Sequence, residues 1–162
     1  MRSVTTRIVA AVFVGCLVAA CGSSSATAPF HAIPSDAVVV WGTAACDFTM
    51  EGVDPEGGTG FLVTCELDMS DPRVSGTETQ DRFHFVVGRV GVGTVWVAEE
   101  AVITNAEGTW RGSVQAADDG SPSGEAHYFG EGSYEGLEFH HYFGGSDDAA
   151  ESIVRGWISS AG

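Results

Sequence analysis

Beyond residue 36 the chain alternates. The runs "AVVVWGTAACDFTM" (37–50) and "GFLVTCELDMS" (60–70) are rich in β-branched and aromatic residues and change polarity with a period near two. The pattern returns in "RVSGTETQDRFHFVVG" (73–88), "GTVWVAEEAVITN" (93–105), "TWRGSVQAAD" (109–118), "EAHYFG" (125–130), "SYEGLEFHHYF" (133–143) and "SIVRGWISS" (152–160). Turn formers separate the runs: "VDPEGG" (53–58), "AEG" (106–108), "DGSPSG" (119–124) and "GGSDD" (144–148). Helical periodicity is hard to find here. About eight strands at even spacing predict an all-β domain, a small antiparallel up-and-down eight-stranded barrel, with a sandwich as the related alternative. Glycines inside the strands predict bends and bulges of a closing sheet.

The first 36 residues follow a different pattern. Arg2 and Arg7 are basic, Ile8 to Ala20 is apolar and too short to span a bilayer, and "LVAACGSSS" follows. The segment Leu17-Val18-Ala19-Ala20-Cys21 resembles the lipobox of bacterial lipoprotein signal peptides. That resemblance implies removal of residues 1–20, a diacylglycerol on Cys21, and a lipid-anchored protein on the extracytoplasmic face of the cell membrane. The other reading is an ordinary secretory signal in which Cys21 is incidental. Two or more acyl chains anchor stably, where one is marginal. Residues 21–36, rich in Ser, Gly, Ala and Pro, read as a flexible tether that includes His31. Residues 37–162 are then the barrel domain.

Charge narrows the partners. The whole chain carries −15, and residues 1–20 take away two arginines and no acid, so the mature chain would carry −17. There is no lysine. A surface this acidic argues against nucleic acid and against anionic lipid headgroups. After Cys16 leaves and Cys21 is lipidated, Cys46 and Cys65 remain. In an exported compartment the default is a disulfide. If the two face each other across a hairpin, Phe48 faces Val63 and Met50 faces Phe61, all on one strand face. Closing such a loop contributes on the order of 3 kcal/mol. A metal-binding thiol pair is the alternative, without the close spacing that zinc sites prefer.

A second resemblance rests on three segments: "SDPRVSGT" (70–77), "GTWRG" (108–112) and "GEGSYEGLEF" (130–139). The series resembles the bacterial relatives of the allene oxide cyclase and dirigent proteins over roughly residues 37 to 160. Their Gly-x-Gly-x-aromatic-x-Gly segment corresponds to Gly130, Gly132, Tyr134 and Gly136. The resemblance implies an eight-stranded barrel with a central cavity, in which the plant enzymes rearrange or couple small apolar molecules, and relatives that form dimers or trimers. It carries over no catalytic residue, and fold analogy does not confer function.

The candidate chemistry sits in the strands. Adjacent residues point to opposite faces, so His140 and His141 cannot share one ion without a bulge. Leu137, Phe139, His141 and Phe143 form an apolar face, where His141 reads as a barrel-interior residue. Gly136, Glu138, His140 and Tyr142 form the other, where Glu138 and His140 are a solvated surface or half of a metal site. Arg82 and His84 share a face that is exposed or, in a barrel, a polar spot neutralised by Glu99 or Glu100. Trp41, Trp96, Trp110 and Trp157 fall on separate strands, as packing residues or as an aromatic lining. Candidate cavity residues are therefore Arg82, His84, Trp96, Trp110, Tyr134, Glu138, His140 and His141. Esterase, zincin, EF-hand and dinucleotide motifs are missing, and no metal or other cofactor is expected. The leading functional expectation is binding of a small, mostly apolar molecule. The alternatives are an isomerase or cyclase acting in the barrel and a self-associating envelope protein.

Overall fold

The alternating runs pair in chain order. In the computed structural model, which describes residues 32–53, 59–87, 93–118, 122–145 and 151–162, eight strands form one antiparallel sheet. They are β1 (Val38–Val53), β2 (Thr59–Met69), β3 (Gly76–Val87), β4 (Thr94–Thr104), β5 (Gly108–Asp118), β6 (Pro122–Gly132), β7 (Leu137–Gly144) and β8 (Glu151–Ser160). Each strand pairs with the next, and β8 pairs with β1, so the sheet closes into an up-and-down barrel. Closure pairs both sides of every described strand, which removes the sheet edges. The predicted signal segment, the predicted lipidation site at Cys21, and His31 lie outside the described residues. Among the described residues no helix is long and apolar enough to cross a membrane.

The β1–β2 register is the one the cysteine spacing demands. Cys46 opposes Cys65, Phe48 opposes Val63, and Met50 opposes Phe61. Cys46 and Cys65 are disulfide-bonded. Two boundaries differ from the sequence pattern. Pro122, Ser123 and Gly124 belong to β6, because a proline is tolerated as a strand's first residue. Residues 133–136 form a turn instead of opening β7. Gly132 and Gly136 adopt φ +65° and +82°, the left-handed region that an L side chain resists. The end of the predicted tether is also engaged, since the Asp36 carboxylate accepts a hydrogen bond from the Ser160 backbone N–H at 3.4 Å.

The three segments that carried the barrel resemblance meet at one end of the barrel. Pro72–Val74 makes a short 3-10 turn between β2 and β3, and Val74 is fully buried. Asn105, after β4, donates through Nδ2 to the carbonyl oxygens of Arg73 and Ser75, both at 3.0 Å. Its Oδ1 accepts from Tyr134 Oη at 2.9 Å and from the backbone N–H of Gly108 at 3.1 Å. Trp110 donates its Nε1–H to Arg73 O at 2.7 Å and stacks on Tyr134 with centroids 5.0 Å apart. A Cβ at Gly108 would lie 2.7 Å from the Tyr134 ring, and one at Gly130 would collide with the Tyr134 carbonyl oxygen. The glycines of "GTW" and "GEGSYEG" thus make room for a tyrosine laid across the barrel end. Trp110 and Tyr134 are buried at this end, each held by a hydrogen bond, to Arg73 O and to Asn105 Oδ1.

Side chains alternate between the interior and the outer wall, and the phase changes side by side in β3 and β4. Glu78 and Gln80 point inward on β3, and so does Phe83. The extra step falls at Arg82, the one described non-glycine residue with a left-handed backbone (φ +53°). Opposite it, β4 has a bulge between Ala98 and Ala101. Asp81, Arg82, Glu99 and Glu100 all face outward as a result.

Candidate functional site

Among the described residues, few polar groups point into the barrel. Glu78 is one of the largest fully buried side chains, reached from across the interior by Tyr128 of β6. Tyr128 Oη donates to Glu78 Oε1 at 2.5 Å, and Gln80 Nε2 donates to the same oxygen at 2.8 Å. Desolvation raises the pKa of Glu78 although both hydrogen bonds favour its carboxylate. Desolvation and the neighbouring carboxyl push the Tyr128 phenol well above its ordinary value, so it stays a donor.

His141 lies beside this group. Its ring stacks on Tyr128 with centroids 5.7 Å apart and planes within 4°, and on Phe139 at 5.0 Å. Its register partners are small, Ala126 on β6 and Gly156 on β8. A Cβ on Gly156 would collide with the His140 carbonyl oxygen and lie 2.7 Å from the His141 Cβ, so β7 and β8 approach closely beside His141. His141 is 3 % exposed, and neither Nδ1 nor Nε2 has a hydrogen-bond partner. Burial, with a smaller contribution from His140, lowers its pKa to about 3. The imidazole is therefore neutral and presents one unsatisfied N–H and one unsatisfied lone pair. Such a group costs roughly 1–3 kcal/mol unless something pairs with it.

On the outer wall of the same strand, Glu138 Oε2 lies 3.0 Å from His127 Nε2 and 3.3 Å from His140 Nε2. His127 and His140 are register partners on β6 and β7 and stack at 3.8 Å. His140 also stacks on Trp157 of β8 at 5.2 Å. Burial works to raise the Glu138 pKa, but hydrogen bonds from His140, His127 and the Gly162 backbone outweigh it and hold the carboxyl below its usual range.

The remaining predicted residues scatter. Arg82 and His84 do not line the interior. Both are exposed on the outer wall, Arg82 paired with Glu100 at 3.4 Å and His84 with Glu99 at 3.3 Å, because the phase change turns all four outward. Trp96 is half-buried and packs on the core. Trp41 is 63 % exposed on the outside of β1, near the exposed Val39 and Ile153. Trp157 is buried, yet on the outer face.

Sequence reasoning missed Glu78, Gln80, Tyr128 and His127. Counting back from Phe83 by twos puts Thr79 and Asp81 inside and Glu78 and Gln80 outside, the reverse of their positions. His127 was only partly findable. Its position was visible, but not its partner: a symmetric "SYEG" turn centres on Tyr134 and Glu135 and would set His127 opposite Tyr142, whereas the observed register, offset by two, sets it opposite His140. Compared with models of protein families, with curated proteins and with solved structures, the chain matches none.

Proposed function

We propose that the protein is a lipid-anchored extracytoplasmic lipoprotein whose barrel binds a small, mostly apolar molecule carrying one polar group. The observation that carries this reading is His141, a buried neutral imidazole with both ring nitrogens unpaired inside a barrel lined by apolar side chains. A ligand that donates to one nitrogen or accepts from the other removes the cost of leaving them bare. Phe139 and Phe143 supply apolar surface beside it, and Tyr128 with Glu78 supplies a second polar point. The anchor rests on the sequence around Cys21. The Cys46–Cys65 disulfide fits an oxidising compartment. Kinship with the allene oxide cyclase and dirigent barrels is part of this reading and rests on the resemblance of the three segments in sequence.

Native mass spectrometry of the full chain purified from its own host, with His141→Phe alongside, tests the reading. A bound small molecule in the wild type and a clear loss of occupancy in the variant are expected. A wild type with no added mass, together with a more stable variant, would mean that His141 is only an unsatisfied core group. A second reading is favoured by one observation, the raised pKa of Glu78 next to a phenol donor: acid–base catalysis of an isomerase or cyclase type within the barrel.

A further inference from the structure

We propose that His127, Glu138 and His140 form a binding site for a divalent transition-metal ion, Zn²⁺ first, on the outer wall of the barrel. The sequence offered only half of such a site, Glu138 and His140 two residues apart. Strand register supplies the third ligand, because His127 on β6 lies directly across from His140 on β7.

The geometry suits a tetrahedral ion. Zinc binds imidazole nitrogen and carboxylate oxygen at about 2.0–2.2 Å, so neighbouring ligand atoms around it lie roughly 3.3–3.5 Å apart. Here the two nitrogen–oxygen separations are 3.0 and 3.3 Å, and all three ligand atoms fall within 4.8 Å of one another. The ring planes of His127 and His140 are 19° apart. Turning each ring about χ2, a broad and soft torsion, lets the Nε2 lone pairs converge.

The surroundings act as supports for the ligands. Trp157 lies flat against His140, with planes 11° apart, and fixes the orientation of that ring. All three ligands are half-buried, so an ion is partly shielded and still reached from solvent, with room for water as the fourth ligand. Imidazole with one carboxylate selects zinc, copper or nickel over calcium or magnesium, which prefer all-oxygen shells. This site is separate from the interior one: Glu138 and His140 face outward, while His141 faces inward.

The test uses the full-length chain without an affinity tag, in detergent and stripped of metal. Co²⁺ is titrated by visible absorption, displaced with Zn²⁺, and Cu²⁺ is added while tryptophan emission is followed. One ion per chain is expected, with quenching of emission from the Trp157 side of the barrel. His127→Gln and Glu138→Gln should each weaken binding at least about 10-fold, since removing even an outer partner of a ligand costs about that much. His84→Ala, which alters a different outer-wall histidine and carboxylate pair, should leave binding unchanged. His140→Ala would also strip the packing on Trp157, so the two glutamine variants decide the outcome, each checked for folding by circular dichroism. The absence of saturable binding, or binding that both glutamine variants retain, overturns the proposal.

Discussion

His140 and His141 are chain neighbours with opposite circumstances. His140 stands on the outer wall, half-buried, sharing the Glu138 carboxylate with His127 and stacked on Trp157. His141 points into the barrel, wholly buried, with aromatic neighbours and no hydrogen-bond partner. The same side chain is a polar participant on one side of the wall and an unpaired polar group on the other. The difference comes from solvent: outside, water and a carboxylate are available, while inside each polar atom must find a protein or ligand partner or remain unsatisfied.

The contrast predicts that inner-wall changes act on folding, and at His141 on the interior ligand as well, whereas outer-wall changes leave folding nearly untouched and act on metal binding only at His127, Glu138 and His140. The largest effect is expected from Trp110→Ala. It empties a fully buried site and removes the bond to Arg73 O, and should cost about 3–5 kcal/mol in chemical denaturation. A loss under about 1 kcal/mol would mean this end of the barrel is not a core.

Next comes pH. His141 has a folded pKa of about 3, below its unfolded value, so the unfolded chain binds the proton first on acidification. Its contribution is fully present above about pH 6.5 and is lost as pH falls toward 3, with a slope of up to about 1.4 kcal/mol per pH unit. Glu78 acts in the opposite sense. Its folded pKa is raised, so its contribution is present below its unfolded value and is lost as pH rises through the folded one. Stability curves between pH 7 and 3.5 should therefore flatten in His141→Phe and steepen in Glu78→Gln. Parallel curves for wild type and His141→Phe would show that the imidazole is not buried neutral.

Tyr128→Phe removes one of the two donors to Glu78 while keeping the ring, and should destabilise by about 1–3 kcal/mol. The smallest effect belongs to the exposed outer wall. His84→Ala breaks a solvent-screened pair with Glu99 and should shift the denaturation midpoint by no more than about 0.5 kcal/mol in equivalent stability. A large change there would erase the distinction between the two sides.

Much of the barrel was legible from alternation. Strands announce themselves by period two, and the same period made the Cys46–Cys65 pairing consistent with Phe48 opposite Val63 and Met50 opposite Phe61. It also separated His140 from His141. Legibility failed where the period broke. In "TETQDR" both faces are polar, so nothing in the pattern says which side is inside, and the extra step at Arg82 inverts any count carried back from Phe83. That single residue hid Glu78 and Gln80. At "GSYEG" the aromatic and the leucine that follows imitate strand alternation, while glycine backbone angles make a turn.

The sequence by itself determined the element type, the number and order of the strands, the disulfide and the split of the histidine pair. These are local or near-local properties, governed by side-chain period and by hairpin spacing. Tertiary structure alone decided which face of β3 became the interior, because both faces there are polar and the backbone step at Arg82 shifts the phase. It also brought Tyr128 to Glu78, 50 residues away, and placed Arg73, Asn105, Trp110 and Tyr134 in one clasp. Contacts of that range depend on barrel register and curvature, and no run of neighbouring residues encodes them.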